Sequence, residues 1–402
     1  MTRLRATDVP VAADGRISPA AALTILVCFL LNMVDGMDIL VMSYIAPALQ
    51  KEWAVSPAEL SIVFSIGLAG MALGGLGLAP LADRFGRRRM ILIALSIMTL
   101  AMLASSRAQS IGQLVALRFC VGTGIGTVLA CIAALAARAA PERKRSFAVG
   151  VLQAGYPLGA MITGLVTAWA LPLYGWRNVL VGTGLVSSLF VPLVLVLVPA
   201  QISRVERQAR TRLREVVAGP RLPASLLLWG ATICGFMALY FIASWITKLA
   251  IEAGLPETQA ILASAVYNFG AFVGTVGMSL LSARVDIRTL ACVLLVAAAG
   301  AFLVFGGVAL PLVGVLAGAF VIGVTLQGGV NALYPIGARV YPDAVRATGI
   351  GWSSGIGRIG AFTGPMIGGW ALSQHLPLVA VFGMFCAPLL LAALLARLVR
   401  FE

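Results

Sequence analysis

The hydrophobic positions of this chain gather into twelve long runs separated by short polar stretches. They lie at roughly 21–49, 58–82, 90–106, 111–137, 146–171, 177–199, 225–250, 258–283, 289–309, 311–338, 348–372 and 377–398. About 20 apolar residues in a helix cross the hydrocarbon core of a bilayer, so each run predicts a membrane-spanning helix. Several runs exceed that length, which predicts tilt or extension into the loops. The pattern as a whole predicts an all-α membrane protein of twelve transmembrane helices, here called segments 1 to 12.

Composition supports this pattern. Of 402 residues, 60% are hydrophobic and 11% charged, against about 25% charged in a soluble domain. The net charge of +14 would suggest nucleic acid in a soluble chain, but its distribution says otherwise. Of the 29 basic residues, all but six fall in the terminal regions and in the loops on their side of the membrane. The opposite side holds only Lys51, Arg107, Arg177 and Lys248, and Arg118 and Arg358 lie inside apolar runs. By the positive-inside rule both termini are cytoplasmic. The basic excess is therefore a topology signal and excludes a nucleic-acid partner. The tail from Met1 to Ser18 lacks a small-residue cleavage site, so segment 1 is itself the insertion signal. The six cysteines all sit within apolar runs and the one histidine is His375. That set offers no metal site, and the thiols read as small packing residues.

The longest connection, 200–224, is rich in arginine, and Gln201 to Val217 within it reads as a surface helix on the cytoplasmic leaflet. It divides an N-terminal half, 1–199, from a C-terminal half, 225–402. The halves are related. An offset of 200 aligns Arg84 with Arg284 and Arg88 with Arg288. An offset of 201 aligns Gly122 with Gly323, Pro141 with Pro342, Gly159 with Gly360 and Trp169-Ala170-Leu171 with Trp370-Ala371-Leu372. Two parallel six-helix repeats about an axis along the membrane normal form the plan of major facilitator transporters.

Polar residues inside the runs mark the chemistry. Asp35 and Asp38 stand three apart in the middle of segment 1, with Asn32 a turn before them and Gly36 between. They project from one side of the helix. A carboxylate at that depth costs at least about 2.5 kcal/mol and is functional by default. These are the only acids buried in the membrane interior, which makes them the sole embedded candidates for proton coupling; which of the two carries the proton stays open. Opposite them in the census are two arginines. Arg118 cannot lose its proton, so it must face a carboxylate or carbonyl groups, and Asp35 or Asp38 is its natural partner. Arg358 has Pro157 as its counterpart in the first half, and Arg118 has Ala319 in the second. A substrate carboxylate would supply an anion for one of them, since a guanidinium fork suits a carboxylate. Aromatic and polar residues at helical spacing line possible cavity faces: Tyr240 and Trp245 in segment 7, and Gln327, Asn331 and Tyr334 in segment 10. Aromatic rings there suit stacking on a substrate ring.

Three motifs carry a family resemblance. Between segments 2 and 3, Ala79-Pro80-Leu81-Ala82-Asp83-Arg84-Phe85-Gly86-Arg87-Arg88-Arg89 resembles the major facilitator signature, with Ala79 in place of its first glycine. In segment 4, Arg118 followed by Gly122, Gly124 and Gly126 resembles a further motif of that family. The stretch Tyr341 to Trp352, leading into Gly355-Ile356-Gly357-Arg358, is similar to the aromatic acid:proton symporter branch. So are Asp35-Gly36-Met37-Asp38, Ile45 to Leu49 and Ser244-Trp245-Ile246, although Thr247 stands where that branch commonly has proline. The resemblance implies a gate-latch role for Asp83, Gly86 and Arg87, with an asymmetric latch, since Ala283 replaces the aspartate in the second half.

The resemblance further implies proton-coupled uptake of a small aromatic carboxylate, of the benzoate or hydroxybenzoate kind, by alternating access. The expected partners are that carboxylate, protons and membrane lipid; no cofactor is expected, and the expected state is a monomer in a bacterial inner membrane. Rival readings are a symporter of non-aromatic organic or sugar acids and a proton-antiporting exporter. Gly155-Tyr156-Pro157-Leu158-Gly159 falls short of the exporters' glycine-proline motif. An enzyme would need a nucleophile–base pair, a metal cluster or a nucleotide loop, and the sequence offers none.

Overall fold

The computed structural model describes residues 18–141, 145–198, 221–308, 310–342 and 345–400. The surface helix expected at Gln201 to Val217, and the 200–224 linker as far as residue 220, lie outside them. The described residues form helices and no strand, as an apolar solvent demands: a backbone that cannot reach water must satisfy its own hydrogen bonds.

Ten of the helices are long and apolar enough to span a bilayer. One of the ten belongs to an element of 53 residues, Arg145–Leu197. At 1.5 Å per residue this is about 80 Å, more than twice a hydrocarbon core of about 30 Å. Gly175 breaks it with φ 73° and ψ 165°, a conformation that favours glycine, and so separates segments 5 and 6 without a loop. Segment 11, Arg346–Ser373, is 28 residues long but is not among the ten, because glycines, serines and two arginines dilute its hydropathy. Large apolar side chains such as Leu76, Leu100, Leu189 and Val313 are exposed. In water such a surface would be a liability; against lipid it is the solvated face.

The duplication read from the sequence recurs in the packing. In the first half Gly70 and Gly74 of segment 2 abut the backbone carbonyls of Phe119 and Thr123 in segment 4. In the second half Gly270 and Gly274 abut those of Phe320 and Val324, at offsets of 200 and 201. Gly159 meets the Met33 carbonyl, and Gly360 meets that of Ile233. A Cβ at any of these positions would enter a neighbouring carbonyl, so each helix pair closes through small residues, the usual device where lipid provides no hydrophobic drive.

Contacts sort the described residues into two compact units. One draws on Met1–Ile39, Ala69–Ala160 and Tyr174–Glu206, the other on Leu40–Leu68, Met161–Leu173 and Arg207–Glu402. The second unit thus takes in one end each of segments 1, 2 and 5. Within it Ser65 Oγ donates to the Phe362 carbonyl at 2.8 Å, Gly369 lies against Pro57 and Ser61, and Asn268 Nδ2 donates to the Tyr44 hydroxyl at 3.4 Å.

Two helices are not uniform. Segment 2 runs as α-helix over Pro57–Leu73, then as a π turn over Gly74–Leu78 and a 3-10 turn over Ala79–Leu81. Segment 10 runs as α-helix over Leu312–Ile322, widens into a π turn at Gly323–Gln327, and is interrupted at Ala332 before Leu333–Val340. The apolar count foresaw neither irregularity, because a π turn changes hydrogen-bond register without changing composition.

Valine at Gly274 drives a side chain into the Val324 backbone. Overpacking of this kind costs about 1–3 kcal/mol. The expected result is a thermal unfolding midpoint in detergent lowered by about 2 °C or more. Alanine at Gly277, which has nothing within 4 Å, leaves the midpoint unchanged or slightly raised.

Candidate functional site

In the first unit, segment 1 (Pro19–Trp53) carries Asn32, Asp35 and Asp38, all essentially unexposed. Asn32 Nδ2 donates to the Leu152 carbonyl at 2.6 Å, and Gly36 sits on the Tyr156 carbonyl. These contacts fix the face that segment 1 turns to segment 5. Asp38 faces Ser187 of segment 6, whose hydroxyl lies 3.3 and 3.5 Å from the two carboxyl oxygens. The same hydroxyl is 3.0 Å from the Thr183 carbonyl. A serine has one proton to donate, so Ser187 serves the carboxylate or its own helix, not both. Neither oxygen of Asp35 has a hydrogen-bond partner among the described residues.

Arg118 is 4% exposed, and of the two kinds of partner expected for it the structure shows the carbonyl. Its guanidinium does not form an ion pair with Asp35 or Asp38. Nη1 donates to the backbone carbonyl of Asp38 at 3.2 Å, Nη2 lies 3.0 Å from the Met102 sulfur, and Nε has no partner among the described residues. The helix is held by a neutral oxygen while the charge keeps spare donors. Ser187 and Met102 were not singled out by the sequence. Ser187 carried a faint signal as half of a Ser-Ser pair in an apolar run; Met102 carried none.

In the second unit Arg358 is half-buried. Its Nη1 donates to the Tyr240 hydroxyl at 3.0 Å, and its guanidinium carbon lies 5.9 Å from that ring's centroid. Phe236 packs edge-on to Tyr240 at 5.9 Å. Asn331 Nδ2 donates to Thr275 Oγ1 at 2.9 Å, and Gln327 Nε2 donates to Asn331 Oδ1 at 3.3 Å. This polar ladder occupies the π-turn region of segment 10. Thr275 is the member that sequence reasoning missed. Tyr334, beyond the break at Ala332, faces Ser354 instead.

Trp245 lies elsewhere. It is wholly buried, its Nε1 donates to the Pro365 carbonyl at 2.9 Å, and its ring meets Phe64 edge-on at 5.1 Å. Its neighbour Phe241 stacks on Phe385 at 3.7 Å. This face of segment 7 is packed core. In the loop after segment 2, Gly86 has φ 92° and caps the helix Arg87–Ser105, which explains the glycine there. The side chain of Asp83 lies outside the described ones.

Buried charges, duplicated helix packing and a span-forming helix set define a polytopic membrane carrier. The chain belongs to the Major Facilitator Superfamily, whose family profile matches residues 28–336 and 228–402. It is 32% identical to the 4-hydroxybenzoate transporter PcaK of Pseudomonas aeruginosa, covering 95% of this chain and 94% of that protein. It is 29% identical to a gallate transporter of Pseudomonas putida, over 96% and 94%. In fold it is similar to a crystal structure of a bacterial homologue of the human lysosomal transporter Spinster, in an inward-facing and occupied conformation. That match has a TM-score of 0.74 at 19% identity, over 94% of this chain and 96% of that one.

Replacing Trp245 by Phe keeps the ring against Phe64 but removes the donor to Pro365. The expected result is a stability loss of about 1 kcal/mol, read by thermal unfolding, with KM for transported substrate unchanged. A rise in KM at constant stability would return Trp245 to the substrate.

Proposed function

We propose that this protein takes up a small aromatic carboxylate by proton-coupled symport. Arg358 and its aromatic surround receive the carboxylate, and the Asp35–Asp38 pair carries the coupling charge. The observation that carries the reading is Arg358 itself. It is an arginine inside a membrane-spanning helix, bonded to a tyrosine hydroxyl and flanked by aromatic rings, in a chain closely similar along its length to transporters of 4-hydroxybenzoate and gallate. A hydrogen bond to a charged group contributes about 1.5–3 kcal/mol, enough to orient the anion. The rings supply the stacking face.

Proton coupling draws support from burial. Asp35 has two unused oxygens, and Asp38 competes with Thr183 for one hydroxyl proton. Membrane-embedded acids in such positions are the usual proton carriers. Arg118, bonded to the Asp38 carbonyl, holds the acid-bearing turn in place and offers spare donors to an arriving anion. Gln327, Asn331 and Tyr334 add polar groups to the second unit, which carries Arg358. Asp83, Gly86 and Arg87 act as the gate latch. The topology that fits is twelve crossings in two halves, 1–199 and 225–402, with both termini cytoplasmic in a bacterial inner membrane. The protein acts as a monomer and by alternating access.

The test is acid-driven uptake of labelled 4-hydroxybenzoate in proteoliposomes. Arg358→Met is expected to raise KM about tenfold or more. Asp38→Asn is expected to abolish the dependence on the pH gradient. Full pH-gradient dependence in Asp38→Asn removes Asp38 from coupling, and transport confined to non-aromatic acids overturns the reading.

A further inference from the structure

The second unit contains two facing stripes whose order matters. On the helix Arg221–Glu252, Thr232, Phe236 and Tyr240 follow one another at four-residue intervals and lie on one face. On the helix Arg346–Ser373, Ser354 and Arg358 are also four apart, with Ser353 beside them. The stripes meet at both ends. Thr232 Oγ1 and Ser353 Oγ are 3.0 Å apart, and the Arg358 guanidinium donates to Tyr240 at 3.0 Å. Gly357, between these contacts, has no side chain to keep its helix off Thr232 and Phe236.

At the hydroxyl end lies a cavity of about 10 Å³, lined by Thr232, Phe236, Tyr334, Ser353 and Ser354 together with apolar residues. That volume is about one water, and four hydroxyl-bearing side chains surround it. Thr232 spends its own proton on the Leu228 carbonyl at 2.8 Å, which leaves its lone pairs as acceptors. Ser353 and Ser354 stand four to five residues before Arg358, a rise of about 6–8 Å along the helix axis, and the Arg358 side chain reaches further, to the Tyr240 hydroxyl. On the facing helix Thr232 and Tyr240 are eight residues apart, a rise of about 12 Å, with Phe236 between them. The arrangement is cationic at one end, aromatic in the middle, and a hydroxyl-sized polar notch at the other.

We propose that the notch is a hydroxyl-recognition subsite, formed by Thr232 and Ser353 with Ser354 and Tyr334, which selects aromatic carboxylates bearing a hydroxyl across the ring from the carboxylate. The proposal rests on the reading that Arg358 takes the substrate carboxylate. A ring hydroxyl can donate to Thr232 and accept from a serine or the tyrosine, replacing what a water would do there. A hydroxyl beside the carboxylate lies at the cationic end and cannot reach. The notch hydroxyls already bond one another and the Leu228 carbonyl. An unsubstituted ring adds no donor or acceptor to that set, and a site built to bond a hydroxyl discriminates against the analogue that lacks one.

The experiment compares uptake of labelled 4-hydroxybenzoate, 2-hydroxybenzoate and benzoate in proteoliposomes. The proteins are the parent, Thr232→Val, Ser353→Ala, the double variant and Thr232→Ser. The parent is expected to prefer 4-hydroxybenzoate. The double variant is expected to lower the 4-hydroxybenzoate to benzoate selectivity, taken as a ratio of KM values, by about five- to tenfold, and Thr232→Ser is expected to retain it. Benzoate uptake reports folding, and the single variants carry the comparison if the double variant does not fold. Selectivity unchanged in all variants, or both acids weakened in equal proportion, overturns the subsite while leaving the role of Arg358 intact. A parent protein that takes up no aromatic carboxylate overturns the parent reading and this one with it.

Discussion

A charge inside a bilayer must be matched where it stands, because no water can reach it. That constraint shapes the molecule. It limits the interior to a few ionisable groups. It also leaves the rest of each crossing to apolar side chains that pack or face lipid. Segment 1 shows the consequence within two turns. Asn32 is satisfied by a carbonyl of segment 5, Asp38 by a shared hydroxyl of segment 6, and Asp35 by nothing among the described residues. The same stretch serves the fold at one residue and leaves its chemistry incomplete at the next.

The duplication separates architecture from chemistry. Glycines 200 residues apart meet backbone carbonyls 201 apart in the two halves. Such contacts admit no side chain, so both halves keep them. The charged positions are under no such restriction: Arg358 corresponds to Pro157, and Arg118 to Ala319. Each half therefore retains the packing of its partner while carrying a polar set of its own. The first holds acids and a buried arginine; the second holds an arginine among phenols and hydroxyls.

How much of this was legible beforehand follows from what periodicity encodes. Run lengths gave the all-helical membrane fold, with ten helices among the described residues long and apolar enough to cross a bilayer, and the constant offset gave the repeated glycine contacts, because both are properties of composition along a line. Helical spacing gave the shared faces of Asp35 with Asp38 and of Gln327 with Asn331. It did not reveal which neighbour each face meets. Arg118 was expected on a carboxylate or on carbonyl groups, with Asp35 or Asp38 as natural partner, and sits on the Asp38 carbonyl. Trp245, expected from spacing at a cavity face, meets Phe64 and the Pro365 carbonyl, partners that spacing does not name. Azimuth on one helix is written in the sequence, whereas the identity of the helix opposite depends on tertiary packing. The interruption at Ala332, between Asn331 and Tyr334, adds a further change of direction, and Tyr334 faces Ser354.

The neutral partner of Arg118 has an energetic consequence for a carrier. Breaking a buried ion pair by removing one member costs about 3–5 kcal/mol, which would hold such a protein in one state. Exchanging a carbonyl or a thioether sulfur for an anion asks only for an ordinary hydrogen bond, about 0.5–1.5 kcal/mol net. An arginine bonded to a carbonyl and a thioether, with the Asp38 carboxylate nearby but not in a close ion pair, is placed without being fully neutralised. It keeps its attraction for an incoming carboxylate and releases that carboxylate without having first to separate from another. The bond from Arg358 to the Tyr240 hydroxyl is of the same neutral kind. A cycle that must bind and let go in every turn is better served by such partners than by tight internal salt bridges. That is a physical reason for the buried acids and Arg118 to lie near one another without pairing.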